Sequence, residues 1–410
     1  MSETGPIVII GGGHAAAQLC AGLADAGQGA RVHVVMEEAE LPYQRPPLSK
    51  AFLKGPQEAV QTLRAEAWFT AAGITLHRGD AALAIDRAQR TVRLRSGTEL
   101  PYVRLVLATG ARVRSLPALA HEHLANVAAL RSAADAQRLR DQLHAADHLT
   151  VLGGGFIGLE IAATARVLGK TVTVLEAAPR LLLRSVSPEL AEHALQTHRA
   201  AGIDIRLGVA VGEFELQGDR VTALQVNGVR ESVELLVLGI GAVPEHTLAS
   251  AAGLRCGNGI EVDACLRTSD PLILAVGDCA SFPDSRSGRV LSQVLRLESV
   301  QNANDQARTA VATLLGREEP YAALPWFWSE QGGLRLQMAG LMPADGQRFR
   351  RDGATAASFS ILHYVGAQLV CVESVNAPLD HMAARKLLEA GKSPDAALAC
   401  DASVPLKAHL

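Results

Sequence analysis

The sequence predicts an α/β fold: two Rossmann-like βαβ modules, followed by a smaller α+β C-terminal domain. Three observations predict it. A strand, a glycine turn, a helix and a second strand open the chain, and the same order returns after Leu149. The composition then shifts after Pro320, where Trp326, Phe327 and Trp328 cluster ahead of alternating apolar segments. Finally, the chain has 410 residues, 48% hydrophobic and 20% charged, enough for several buried cores and too apolar for a disordered chain.

In the first unit, Ile7 to Ile10 is a β-rich run, Gly11-Gly12-Gly13 the turn and an Ala-rich stretch to about Ala26 the helix. Arg31 to Met36 is the second strand and ends at Glu37. In the second, Leu149 to Leu152 is the strand, Gly153-Gly154-Gly155 the turn and Ile157 to Leu168 the helix. Thr171 to Leu175 follows and ends at Glu176. Leu105 to Ala108 runs into Thr109-Gly110, and Leu235 to Leu238 into Gly239-Ile240-Gly241. Each reads as the last strand of its module, where the chain leaves for the next domain. Ser358 to Tyr364 and Gln368 to Val372 alternate as antiparallel strands do.

The glycines carry chemistry. Gly11-x-Gly13-x-x-Ala16 and Gly153-x-Gly155-x-x-Gly158 fit the dinucleotide fingerprint. Its first glycine permits a tight turn, its second lets a pyrophosphate approach the backbone, and its small third residue lets helix and strand pack closely. Phosphates then meet free N–H groups at a helix N-terminus, in these segments around His14, Ala15 and Ile157. Glu37 and Glu176 stand where an acidic residue binds a ribose. Glu176 favours NADH over NADPH, although Arg180 and Arg184 stand close enough in sequence to reach a 2′-phosphate. Two modules in one chain suggest one resident and one exchanging nucleotide.

Formal net charge is −3, so no global basic field points to nucleic acid. The N-terminus has no cationic start of a secretory signal, and charge or glycine breaks the apolar stretches before about 18 residues. A soluble, cytoplasmic protein is expected. The six cysteines form no C-x-x-C pair and no metal-ligand spacing, so buried reduced thiols and no metal are expected.

Residues 268–278, a strand ending in Gly277-Asp278, resemble the second FAD motif of glutathione-reductase-type flavoproteins, in which the Asp meets the ribitol. That resemblance makes FAD the resident cofactor and its domain discontinuous: 1–113 and 243–318, with an NAD domain at 114–242 and a C-terminal domain at 319–410. A closer resemblance rests on an ordered set: Arg45-Pro46-Pro47-Leu48-Ser49-Lys50, then Gly154-Gly155-Phe156-Ile157-Gly158-Leu159-Glu160, Leu297-Glu298-Ser299-Val300-Gln301-Asn302-Ala303 and Pro325-Trp326-Phe327-Trp328-Ser329-Glu330-Gln331. Together these are similar to the FAD-dependent ferredoxin reductases of oxygenase systems, over nearly the whole chain. Glu330 stands where an Asp is common in that family, and Gln301 where some members have Pro.

The resemblance implies roles. Lys50 sits beside flavin N5, Glu160 lies near that lysine and the nicotinamide, and Trp328 borders the flavin and the route to the redox partner. Arg45, Ala82, Ala108, Gly110, Arg131 and Val300 contact FAD, and Arg184 and Gly241 belong with NAD. Related disulfide reductases carry reactive cysteines after the first unit, but Leu41 to Lys50 has none, so electrons leave the flavin directly. The natural acceptor is a [2Fe–2S] ferredoxin serving a cytochrome P450 or a Rieske dioxygenase. It docks near Arg64, Arg308 and Trp328, with Arg289, Arg296 and Arg335 as weaker candidates. No acid–base residue is required, so the 13 histidines need no catalytic role, and most are expected to serve surface or packing. A rubredoxin reductase, an NADH oxidase and an NADH-sensing interaction protein remain as alternatives.

Overall fold

A computed structural model describes residues 4–55, 58–119, 124–284 and 294–410. Arg289 lies outside the described residues. The chain packs as two units. One comprises Met1–Gln44, Val60–Arg112 and Val243–Ala323; the other comprises Arg45–Ala59, Val113–Ala242 and Leu324–Leu410.

The first unit is built on a five-stranded parallel sheet, in the order Ile273–Ala275, Arg104–Leu107, Ile7–Ile10, Val32–Val35, Thr75–His77. Ile7–Ile10 is buried along its whole length, as a strand covered on both faces must be. The helices His14–Asp25 and Val300–Leu314 pack on this sheet, with Leu19, Leu23, Ala307 and Val311 in one core cluster.

The second unit repeats the order, as Asp204–Leu207, Thr171–Glu176, His148–Leu152, Leu235–Leu238, Val127–Ala128, again all parallel. Numbering each first strand 1, both sheets run 3-2-1-4-5. Strand 5 comes from later in the chain in the first unit and from earlier in the second. Arg104–Leu107 and Leu235–Leu238, each read as the last strand of its module, lie inside their sheets, flanked on both sides, and Ile273–Ala275 follows Arg104–Leu107 later in the chain. The chain does change unit soon after each of them, at Arg112 and Ala242.

From Trp326 onward the second unit carries a five-stranded antiparallel sheet, ordered Trp326–Gln331, Leu334–Gly340, Gln368–Val375, Phe359–Val365, Gln347–Asp352. Leu334, Leu336 and Phe359 of this sheet share one core cluster with Leu190 and Ala194 of the helix Pro188–Ala200. Arg45–Ala59 also belongs to this unit, although it interrupts the sequence of the other. Among the described residues no helix is long and apolar enough to cross a membrane.

The third fingerprint position differs between the modules for a packing reason. Ala16 is fully buried and its methyl is accommodated, whereas a Cβ on Gly158 would stand 2.4 Å from the Gly153 carbonyl oxygen. Gly158→Ala is therefore expected to destabilise the protein by about 1–3 kcal/mol through overpacking, and Ala16→Gly by only about 1 kcal/mol through backbone entropy. Urea unfolding of the two variants checks the contrast; equal losses would contradict it.

Candidate functional site

The two glycine turns are built alike. Gly11 (φ +124°) and Gly153 (φ +103°) adopt backbone conformations that favour glycine, and a Cβ there would fall 2.1 Å from the Ala108 oxygen and 2.5 Å from the Gly239 oxygen, respectively. The first glycine of each motif thus lets strand 1 turn hard against strand 4. The second glycines have no such reason. Gly13 (φ −91°) and Gly155 (φ −83°) sit in ordinary extended backbone. A Cβ on Gly13 would meet nothing within 4 Å, and one on Gly155 only the Gly239 oxygen at 3.8 Å. Neither backbone strain nor the chain's own packing demands glycine there, and its missing side chain leaves the helix start open to a group resting on it.

The helix starts agree. His14–Asp25 and Phe156–Val167 have no side-chain cap and no acidic residue in the first turn. The helices beginning at Ala133, Pro188 and Val300 are capped by Ser132, Ser187 and Ser299. An uncapped start leaves unsatisfied N–H groups and the positive end of the helix dipole for an anion. The residues present therefore fit two dinucleotide pyrophosphates.

The acidic partners are placed differently. Glu176 Oε2 accepts from Gly154 N at 2.6 Å and its Oε1 from Ala178 N at 2.7 Å, so its carboxylate is fixed on the second turn. Glu37 lies two residues beyond its strand, exposed, 3.4 Å from Arg95 Nη2. Arg180 is tied to the carbonyls of Leu183 and Val186 at 2.7 and 2.9 Å. Arg184 is exposed, with Nη2 3.8 Å from where a Cβ on Gly241 would stand.

Gly277 (φ +77°) brings the Gly-Asp motif to the first module: a Cβ on it would be 3.7 Å from Ala15 and 3.6 Å from Ala303, in the first turns of the helices His14–Asp25 and Val300–Leu314. Asp278 and Val300 are therefore carried beside the Gly11–Gly13 turn. Cys279 is buried, its thiol donates to the Val276 carbonyl at 3.3 Å, and burial raises its pKa. Burial also pushes Cys20 up to about 12. Gly110 closes a loop in which its carbonyl accepts from Glu245 N at 2.9 Å. Ala82 begins the antiparallel strand Ala82–Asp86, outside the parallel sheet.

The second unit assembles a polar cluster from three distant segments. Lys50 Nζ lies 2.6 Å from Glu160 Oε2. Ser49 Oγ donates to the same oxygen at 2.5 Å, and Ser329 Oγ donates to Oε1 at 2.6 Å. Glu160 is 4% exposed, so its charge depends on these donors. Lys50 also donates to the Pro46 carbonyl at 3.1 Å. Thr164, one helical turn beyond Glu160, donates to the Ser49 carbonyl at 2.8 Å and holds the segment's backbone. Ile157, 47% exposed, leaves an apolar side chain open at the start of the same helix.

Of the three residues expected to do chemistry, the structure brings Lys50 and Glu160 together and sets Trp328 apart. Residues alternate along Trp326–Gln331. Phe327 meets Phe156 at 4.7 Å between ring centroids and Ser329 meets Glu160, whereas Trp328 stacks on Trp326 at 5.5 Å on the other face. Arg45 Nη1 donates to the Arg131 carbonyl at 2.5 Å, which pairs two residues expected to act on one cofactor. Ser329, Gln331 and His198 were missed. The histidine is buried and bonded to Gln331, and the spacing of Ser329 and Gln331 on one strand face is the one sequence signal of the pair.

The docking arginines divide. Arg308 is 60% exposed and pairs with Asp305 one turn away, and Arg64 stacks over Trp68 at 5.0 Å. Arg335 lies 3.7 Å from Glu330. Arg296, with its side chain 12% exposed, is bound to the Asp278 carbonyl and to Glu298, so it braces the fold.

Arg140 anchors the segment that carries Lys50. It is buried, donates to the carbonyls of Phe52, Gly55 and Glu58 at 3.4, 2.9 and 3.0 Å, and stacks 4.4 Å over the Phe52 ring. Arg140→Met keeps the bulk and removes the donors. Amide hydrogen exchange over Arg45–Gly55 should then quicken by on the order of tenfold or more, with the helix Pro188–Ala200 unchanged. Unaltered exchange over Arg45–Gly55 would show that the anchor lies elsewhere.

Comparison with known proteins agrees with this architecture. Residues 5–307 match the pyridine nucleotide-disulphide oxidoreductase family, and residues 326–410 match the reductase C-terminal family. The chain is 42% identical to rhodocoxin reductase of Rhodococcus erythropolis, over 93% of this chain and 89% of that protein. It is 41% identical to terpredoxin reductase of a Pseudomonas species, over 98% and 97%. Among solved structures it is similar to the ferredoxin reductase for the CYP199A2 system from Rhodopseudomonas palustris, with a TM-score of 0.93 and 42% identity over 98% of this chain and 99% of that one. It is also similar to the covalent putidaredoxin reductase–putidaredoxin complex, with a TM-score of 0.92 and 38% identity over 99% and 98%. With two matched dinucleotide modules followed by a matched C-terminal domain, the chain belongs to the pyridine nucleotide-disulphide oxidoreductase family, among its ferredoxin reductases.

Proposed function

We propose that the protein is an FAD-dependent NADH:ferredoxin reductase that feeds an oxygenase, either a cytochrome P450 or a Rieske dioxygenase. The observation that carries this reading is the pair of glycines, Gly13 and Gly155, each at an uncapped helix start with open space where a side chain would stand. FAD belongs to 1–113 with 243–318, NADH to 114–242, and residues 319–410 form the C-terminal domain. The names of the relatives, which include a ferredoxin--NAD(+) reductase component of an anthranilate 1,2-dioxygenase system, support ferredoxin as the acceptor. The use of NADH goes with a cytoplasmic enzyme.

Bound FAD supplies the chemistry of accepting a hydride and releasing electrons one at a time. The chain binds, orients and sets charge. The helix starts at His14 and Phe156 hold the two pyrophosphates, and Glu37 and Glu176 take ribose hydroxyls. By the family resemblance Asp278 would meet the ribitol, and Gly277 brings it beside the first turn. A fixed carboxylate at Glu176 disfavours a 2′-phosphate, and Arg180 is engaged by its own loop, which leaves NADH as the donor. Lys50, anchored on Glu160, presents a cation that favours a reduced, anionic flavin. The roles of Arg45, Ala82, Arg131, Val300 and Trp328 toward FAD, and of Arg184 and Gly241 toward NAD, rest on the family resemblance. Arg64 and Arg308 are the basic groups for an acidic ferredoxin.

The purified protein should be yellow, bleach with NADH without oxygen, and reduce a [2Fe–2S] ferredoxin far faster than it consumes oxygen. Glu160→Gln should slow bleaching by about tenfold or more, the effect of losing one charged hydrogen-bond acceptor. Ferredoxin reduction should fall as ionic strength rises, more steeply in the wild type than in Arg64→Gln or Arg308→Gln. Oxygen consumption as fast without the ferredoxin as with it would identify an oxidase, and a colourless protein that takes up no FAD would end the reading.

A further inference from the structure

Glu160 is the end of a longer chain of hydrogen bonds. Ser329 Oγ, which donates to Glu160 Oε1 at 2.6 Å, accepts from Gln331 Nε2 at 3.1 Å. Gln331 Oε1 lies 2.7 Å from His198 Nε2. The path runs from the helix Pro188–Ala200, through the strand Trp326–Gln331, to the helix Phe156–Val167. His198, Gln331 and Ser329 are 2%, 2% and 1% exposed, so water does not compete for these bonds.

We propose that His198, Gln331 and Ser329 form a one-way hydrogen-bond relay that fixes the Glu160 carboxylate against Lys50. The direction follows from the donor inventory. The Gln331 amide nitrogen only donates, so Ser329 must accept from it, and its single proton is left for Glu160. The Gln331 oxygen only accepts, so His198 must carry its proton on Nε2. Burial lowers the His198 pKa, which keeps the ring neutral with that one proton. Turning the Gln331 amide over would reverse every bond and present a Ser329 lone pair to Glu160, which only a protonated carboxyl satisfies. The salt bridge to Lys50 and the bond from Ser49 both select the carboxylate, and so select the first direction.

His198, Gln331 and Ser329 are positioning residues: they act through Glu160 and Lys50. The relay itself stands on geometry, and its effect on electron transfer rests on the reading of those two residues given above. Cutting it frees the Glu160 carboxylate to turn from Lys50 and leaves the ammonium less engaged.

Three measurements test the relay. In the flavin-free protein, limited acetylation read by mass spectrometry should show Lys50 becoming several times more reactive relative to the exposed Lys54 in Ser329→Ala and in Gln331→Met. Ser329→Thr, which keeps the hydroxyl, should restore the wild-type ratio. Nitrogen-15 NMR of labelled histidine, with His198→Asn for assignment, should show the neutral Nε2–H form of His198. In the flavin-loaded protein, Ser329→Ala should lower the rate constant for flavin reduction about tenfold while the NADH dissociation constant stays put. An unchanged Lys50 to Lys54 ratio in both folded variants, or the Nδ1–H form of His198, would overturn the relay. If the acetylation and NMR results hold and flavin reduction does not change, the relay stands and the role given to Lys50 and Glu160 falls.

Discussion

A buried carboxylate cannot be left unpaired, and Glu160 organises the second unit through that constraint. Removing a carboxylate from water costs several kcal/mol unless donors replace the lost hydration. Here the donors come from Ser49, Lys50 and Ser329, on segments far apart in the chain. Residues 45–59 and the C-terminal sheet each have to dock onto the second module for the site to exist, and they do so within one packed unit. Arg140, Thr164 and the shared apolar core around Leu334 and Phe359 hold the pieces in register. The C-terminal sheet is therefore part of the framework that holds Glu160 against Lys50.

The two modules show the same economy in their turns. Strand order, turn geometry and uncapped helix starts recur, and the modules differ in their acidic partners and in what joins each turn. The Glu176 carboxylate is clamped by two backbone N–H groups, whereas Glu37 is exposed. The first module also gains Gly277 and Asp278 from far along the chain beside its turn. More elements converge on the first turn, as suits a cofactor that stays, while Ile157 leaves an open apolar surface at the second, as suits one that comes and goes.

Much of this was legible in the sequence because strand, turn and helix periods are local. Ile7 to Ile10, His148–Leu152 and their glycines needed only short β-rich apolar runs, loop residues and spacing. Lys50 and Glu160 were reached through resemblance, because nothing in a lone Pro-Pro-Leu-Ser-Lys segment says that its lysine meets a helix in another module. The strand Val127–Ala128, two residues long, carries too little pattern to be recognised, so nothing in the sequence shows that Leu235–Leu238, last of its sheet in chain order, has a neighbour on each side. Residues 45–59 follow the first module in sequence and pack with the second because Arg140 and the core around Leu53 lie there. The bonds from Ser329 to Glu160 and from His198 to Gln331 span 169 and 133 residues, a separation at which period and propensity carry no signal.

In the proposed function the two turns serve different nucleotides, FAD at the first and NADH at the second. The most direct measurement places a side chain in the open space above each second glycine and follows the two cofactors separately. Gly155→Val should keep its flavin and its yellow colour while NADH binding weakens and bleaching slows. Gly13→Val should be isolated colourless and should not take up FAD. Flavin loss from Gly155→Val together with normal flavin in Gly13→Val would contradict the assignment.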